Sequence, residues 1–87
     1  MQENNSYLPM VQDYIRENMP NGGYEIVSNR LEKQGVTLTG TTLRLDVRTL
    51  KKNPNLSGIT ECVKFLKENK IPLNSYCEDF IRKEDKE

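Results

Sequence analysis

Five side chains on one stretch of this 87-residue chain could do chemistry together: Thr41, Arg44, Leu45, Arg48 and Lys52. Placed on a helix at about 100° per residue, they fall on one side of it. The chemistry they suit is recognition. A guanidinium is a planar fork of donors that meets guanine O6 and N7, or a phosphate, in paired hydrogen bonds. A threonine hydroxyl bonds a base edge or a phosphate, and an exposed leucine can touch a thymine methyl. The free N–H groups at the start of such a helix, around Thr39 and Gly40, favour an anion.

No comparable set points to catalysis. The chain has no histidine, which removes imidazole acid-base work, Ser–His and Cys–His pairs, and the commonest zinc ligand. Glu78 and Asp79 are adjacent carboxylates without a partner base. No glycine-rich phosphate loop, metal-spaced cluster or nucleophile–base pair occurs. We therefore expect a binding protein rather than an enzyme, with no cofactor, no metal and no small-molecule substrate.

The recognition face needs elements to hold it outward. Thr39 can cap a helix over 39–50, and Leu38 and Leu43 stand at the N′ and N4 positions of a hydrophobic staple. Leu43, Val47 and Leu50 are spaced i, i+4, i+7 and would face a core. The same residues also alternate with period two: Val36–Thr39, then Leu43–Arg48, with Gly40 between them as a turn residue. Pattern alone thus leaves open a small hairpin over 36–48, and with it an α+β fold.

The remainder reads as helices. Ser6 can cap a first one, with Pro9 tolerated in its first turn and Leu8, Val11 and Ile15 as its stripe. Met19–Gly23 ends it. Tyr24, Val27 and Leu31, with Ile26 alongside, mark a second that stops at Gly35, a left-handed C′ residue. Ile59, Val63 and Leu66 line a helix from about Leu56 to Lys70, with Leu56, Cys62 and Phe65 beside them and Pro72 ending it. Ser75 to Glu78 is a capping-box pattern opening a last helix. Its apolar face is Cys77, Phe80 and Ile81, which either closes the core or meets a second copy.

Composition bounds the rest. The length suits one domain, 1–87, with residues 1–6 and 84–87 expected to fray. Hydrophobic residues make up 34% and charged residues 30%, with zero net charge. The charge is uneven: −2 over 1–23, +3 over 24–52 and −1 over 53–87. The basic third contains the recognition face. Two cysteines, Cys62 and Cys77, make no disulfide framework and read as small core residues. No apolar run approaches the ~18 residues of a membrane span, and the N-terminus lacks the basic and apolar regions of a secretory signal. A cytoplasmic location away from membranes is the expectation.

The run from Asp13 to Lys70 resembles small helix-turn-helix proteins of the phage-repressor or lambda-repressor-like type. The matching residues are Tyr14–Tyr24 (Tyr-Ile-Arg-Glu-Asn-Met-Pro-Asn-Gly-Gly-Tyr), Leu31 to Val36 and Thr39 to Val47. A basic segment, Asn53-Pro54 and an apolar helix follow. The link from Gly35 to Thr39 is longer than the family's tight turn, and Gly40 stands just inside the recognition helix. The resemblance implies an all-α fold of about five short helices and binding of double-stranded DNA, as a transcriptional regulator of mobile-element origin. It places Thr41, Arg44, Leu45 and Arg48 against bases, and Arg30, Lys33, Thr39, Gly40, Lys51 and Lys52 against phosphate. So small a module would bind specifically as a homodimer on two half-sites. Zero net charge, acidic flanks and the strand-like alternation support the alternative, a protein–protein interaction module that does not bind DNA.

Overall fold

The computed structural model describes residues 8–50 and 54–85. They form five helices: α1 Leu8–Asn18, α2 Gly23–Lys33, α3 Gly40–Arg48, α4 Leu56–Glu68 and α5 Ser75–Asp85. Among the described residues there is no strand. The fold is all-α, and the hairpin considered for 36–48 does not form. Burial gives the reason. A strand would have put Leu43, Leu45 and Val47 on one face, whereas here Leu43 and Val47 are buried and Leu45 is 44% exposed. Asp46, between them, is buried. That is the outcome of a 3.6-residue period, not of alternation.

Helix α4 is the hub, since it packs against each of the other four. It contributes Ile59, Cys62, Val63, Phe65 and Leu66 to the core. Around it close Leu8, Val11 and Ile15 of α1, Val27 and Leu31 of α2, and Leu43 and Val47 of α3. Cys77 and Ile81 of α5 are also buried, so this face closes the core of the single chain. Both cysteines are free thiols inside that core.

Three residues assigned to apolar stripes are exposed instead: Ile26, Leu50 and Leu56. Leu50 leaves the stripe because α3 stops at Arg48. It turns outward with φ 53° in the left-handed region. Ile26 and Leu56 are exposed on helices whose buried faces are carried by Val27 and Leu31 and by Ile59, Cys62, Val63 and Leu66. The last helix is also capped one residue earlier than the Ser75–Glu78 pattern suggests. Asn74 Oδ1 accepts from the Cys77 N–H at 2.9 Å, which makes Asn74 the N-cap. Ser6 lies outside the described residues.

Helices α2 and α4 end in the same way. After α2, Gly35 has φ 88°, and the N–H groups of Gly35 and Val36 donate to Glu32 and Leu31 carbonyls at 3.0 and 2.9 Å. After α4, Lys70 has φ 62°, and the N–H groups of Lys70 and Ile71 donate to Lys67 and Leu66 carbonyls at 3.0 Å. Both are Schellman motifs, which orphan carbonyls at a helix end require in some form. Glycine takes the left-handed position freely, while a residue with a Cβ does so at a cost of about 1–2 kcal/mol.

Opposite effects follow at these two ends. Gly35→Ala should lower the unfolding free energy by about 1–2 kcal/mol, and Lys70→Gly should raise it by up to about 1 kcal/mol. Urea denaturation measures both, and equal signs would contradict the assignment of the two caps. The thiols predict a pH effect. Burial pushes Cys62 and Cys77 up to about 12, against about 8.5 in an unfolded chain. The folded protein thus holds these protons more tightly than the unfolded one. Stability from this source is complete below about pH 8.5 and declines as pH rises towards 12. Denaturation curves at increasing alkalinity should shift to lower urea, with thiol labelling that tracks unfolding; rapid labelling of the native protein would contradict the burial.

Candidate nucleic-acid interface

Helix α3 is held from four directions. Thr39, with φ −79° and ψ 160°, is its N-cap. The Thr39 hydroxyl oxygen accepts from the Thr42 N–H at 3.1 Å and donates to the Thr42 hydroxyl at 3.0 Å. Leu38 and Leu43, the staple pair, both lean over Gly58 of α4. A Cβ at position 58 would lie 2.8 Å from Leu43 Cδ2 and 3.0 Å from Leu38 Cδ1. The link from α2 is fixed by Ser28, whose hydroxyl donates to the Leu38 carbonyl at 2.5 Å. From α1, the buried Gln12 donates through Nε2 to the Asp46 carbonyl at 3.0 Å.

Gly40 has a specific reason to be glycine. It is buried, and a Cβ there would stand 2.7 Å from Glu25 Oε2 and 3.4 Å from the Glu25 backbone nitrogen. The first turns of α2 and α3 therefore meet at van der Waals distance, with the Glu25 carboxylate beside the N-terminus of α3. A carboxylate there is favoured by the helix dipole. A glycine just inside the helix is what this close approach requires.

The outward side of α3 carries Thr41, Arg44, Leu45 and Arg48, all exposed. Arg44 and Thr41 also border a cleft of about 90 Å³ with Gly22, Tyr24, Glu25 and Gly40. Burial, and next Cys62, push the Tyr24 hydroxyl up to about 12, against the opposing pull of Arg44 and Arg16. Arg44 and the end of α1 are thus electrostatic neighbours of the same ring.

The five arginines of the chain divide sharply. Arg16 pairs with Asp13 and Glu17. Arg82 pairs with Asp79 at 2.8 Å. Arg30 pairs with Glu68 at 2.5 Å and Glu61 at 3.5 Å, and lies over the Phe65 ring 5.3 Å from its centroid. The Glu68 hydrogen bond is the main reason its pKa is raised further. Among the described residues, Arg44 and Arg48 have no carboxylate partner.

The expected phosphate set is therefore not brought together as a whole. Lys33 is exposed at the end of α2. Arg30, on the same helix, turns to α4. Thr39 spends its hydroxyl on the cap, and Gly40 is covered by Glu25. Lys51 and Lys52 lie outside the described residues. Glu25, Tyr24 and Gln12 were not among the expected site residues. Gln12 could have been found, because it falls on the buried stripe of α1 at i+4 from Leu8 and i+1 from Val11. Nothing local marks Glu25, whose place depends on how α2 and α3 cross.

Removing the Thr39 cap should destabilise the domain by about 1 kcal/mol, with Thr39→Ala losing it and Thr39→Ser retaining most of it. Thermal unfolding of both variants checks this, and equal losses would mean the hydroxyl is not the cap. Compared with protein-family models, curated proteins and solved structures, the chain finds no match.

Proposed function

We propose that this chain binds double-stranded DNA, with α2 and α3 acting as a helix-turn-helix and α3 lying in the major groove. The observation that carries the reading is the division of the arginines. The three away from α3 are neutralised by carboxylates, and the two on its exposed face have no such partner among the described residues. A free guanidinium on a fixed helix has lost little to intramolecular pairing and keeps all its donors for a ligand. Thr41, Arg44, Leu45 and Arg48 then face base edges, and Lys33 faces phosphate. Lys51 and Lys52, which follow α3 in the sequence, extend that phosphate set. Thr39 and Gly40 are left out of it, because the Thr39 hydroxyl serves the cap and the Glu25 carboxylate covers Gly40. Arg30 is left out, because Glu61 and Glu68 already hold it. A regulator of transcription acting in the cytoplasm is the role that fits such a module.

The test begins with selection of a bound duplex from a random-sequence pool, followed by fluorescence anisotropy. Affinity should fall steeply with salt. Arg48→Ala should cost about 1–3 kcal/mol on the selected duplex and relax its sequence preference. Lys33→Ala should weaken binding on all duplexes and reduce the salt slope by about 1. Absence of duplex binding at low salt would transfer the exposed α3 face, with Leu45 at its centre, to a protein partner.

A further inference from the structure

One charged group beside the recognition face takes no part in the contacts proposed so far. Glu25 stands in the first turn of α2 and is exposed. Its carboxylate lies over Gly40, the first residue of α3. It borders the same small cleft as Thr41 and Arg44. Asp13, Glu17, Glu61, Glu68 and Asp79 each meet an arginine. Glu25 has no cationic partner among the described residues, although Arg44 borders the same cleft. Nothing crowds that cleft on the Gly22 side, where an added Cβ would meet no atom within 4 Å.

An ionised carboxylate accepts hydrogen bonds and donates none. A duplex offers it few partners. Phosphate oxygens are acceptors, as are guanine O6 and N7, adenine N7 and thymine O4 in the major groove. Only the exocyclic amino groups of cytosine and adenine donate there. A carboxylate pressed against any of the acceptors loses water, gains no hydrogen bond and is repelled. Of the two donors, the adenine amino group is flanked on both sides by acceptors, its own N7 and thymine O4. Cytosine N4 has an acceptor on one side only, which leaves a carboxylate room to approach.

The residues at the start of a recognition helix are those that meet base edges, and Glu25 is held over the first of them in α3. The helix dipole favours the carboxylate there before any ligand arrives. We propose that, within the duplex binding inferred above, on which this assignment rests, Glu25 is a specificity-determining residue. Its carboxylate accepts from cytosine N4 in the major groove, at the base pair that Arg44 faces or the one next to it. Sequences that present an acceptor at that position are rejected, so discrimination comes from repulsion as well as attraction. Gly40 makes this possible, because a side chain at position 40 would displace the carboxylate from the start of α3.

The test takes the duplex selected from the random pool and replaces each base pair in turn, with fluorescence anisotropy on the full chain. One cytosine should prove critical. Its replacement should weaken wild-type binding on the order of tenfold or more, and Glu25→Gln binding by only about twofold. The amide has donors as well as an acceptor and so accommodates either kind of base. Preferences at the other positions should be shared by the two proteins. Putting 2-pyrimidinone, which lacks the 4-amino group, in place of that cytosine should reproduce the loss with the wild-type protein alone and affect the variant much less. The same preferences in both proteins at every position would overturn the proposal. So would tighter binding of Glu25→Gln to all duplexes alike, the mark of a carboxylate that only repels phosphate. A wild-type chain that binds no duplex at low salt removes the proposed function and this role together. One that binds with preferences indifferent to residue 25 removes this role alone.

Discussion

A nine-residue helix does not hold itself together in water, because the cost of its nucleus exceeds what so few hydrogen bonds return. Helix α3 has nine residues and carries the face on which recognition would rest. Its existence depends on contact with the rest of the chain. The decisive contact is the one at Gly58, where the missing side chain lets Leu38 and Leu43 settle against α4. Leu38 precedes the helix and Leu43 ends its first turn, so closing them over one point fixes where the chain enters and in what direction it winds. The Thr39 cap, the Gln12 amide and the Ser28 hydroxyl then satisfy polar groups in an arrangement the staple has already set.

The same logic explains why α4 sits at the centre. It is the longest described helix and the most apolar in its pattern, and small residues on its surface bring neighbours close. Glycine contributes twice to α3, at position 58 on the hub and at position 40 on the helix itself. The first admits two leucines and the second admits Glu25. In both cases conformational freedom is not what the glycine provides, since each lies in an ordinary helix. What it provides is room.

Much of this was legible in the residues. Leu8, Val11 and Ile15, or Ile59, Val63 and Leu66, recur at helical spacing and all are buried, because a stripe that must leave water has one way to do so. The pattern over 36–48 was ambiguous because a short segment supports two periods at once. Burial of Asp46 and exposure of Leu45 separate the two readings, and neither can be read from a list of residue types. Edge positions such as Ile26 and Leu56 went astray for a related reason: apolar character says what a residue tolerates, not whether the core has space for it. The partners of Arg30 and the carboxylate over Gly40 come from residues 31, 38 and 15 positions away, and local spacing carries no information on such meetings. Asn74 displaced Ser75 as the cap because adjacent residues of equal capping ability offer the helix two starting points.

The nine residues of α3 are divided between two tasks. Leu43, Asp46, Val47 and Gly40 face inward, and every tie that keeps the helix in place passes through them, through Thr39 and Thr42, or through the backbone. Thr41, Arg44, Leu45 and Arg48 take part in none of those ties. The outward letters can therefore be rewritten without disturbing the inward ones. A lineage of such chains could diverge in what it recognises while its fold stays fixed, so that variation among these four positions would record changes of target rather than loss of constraint.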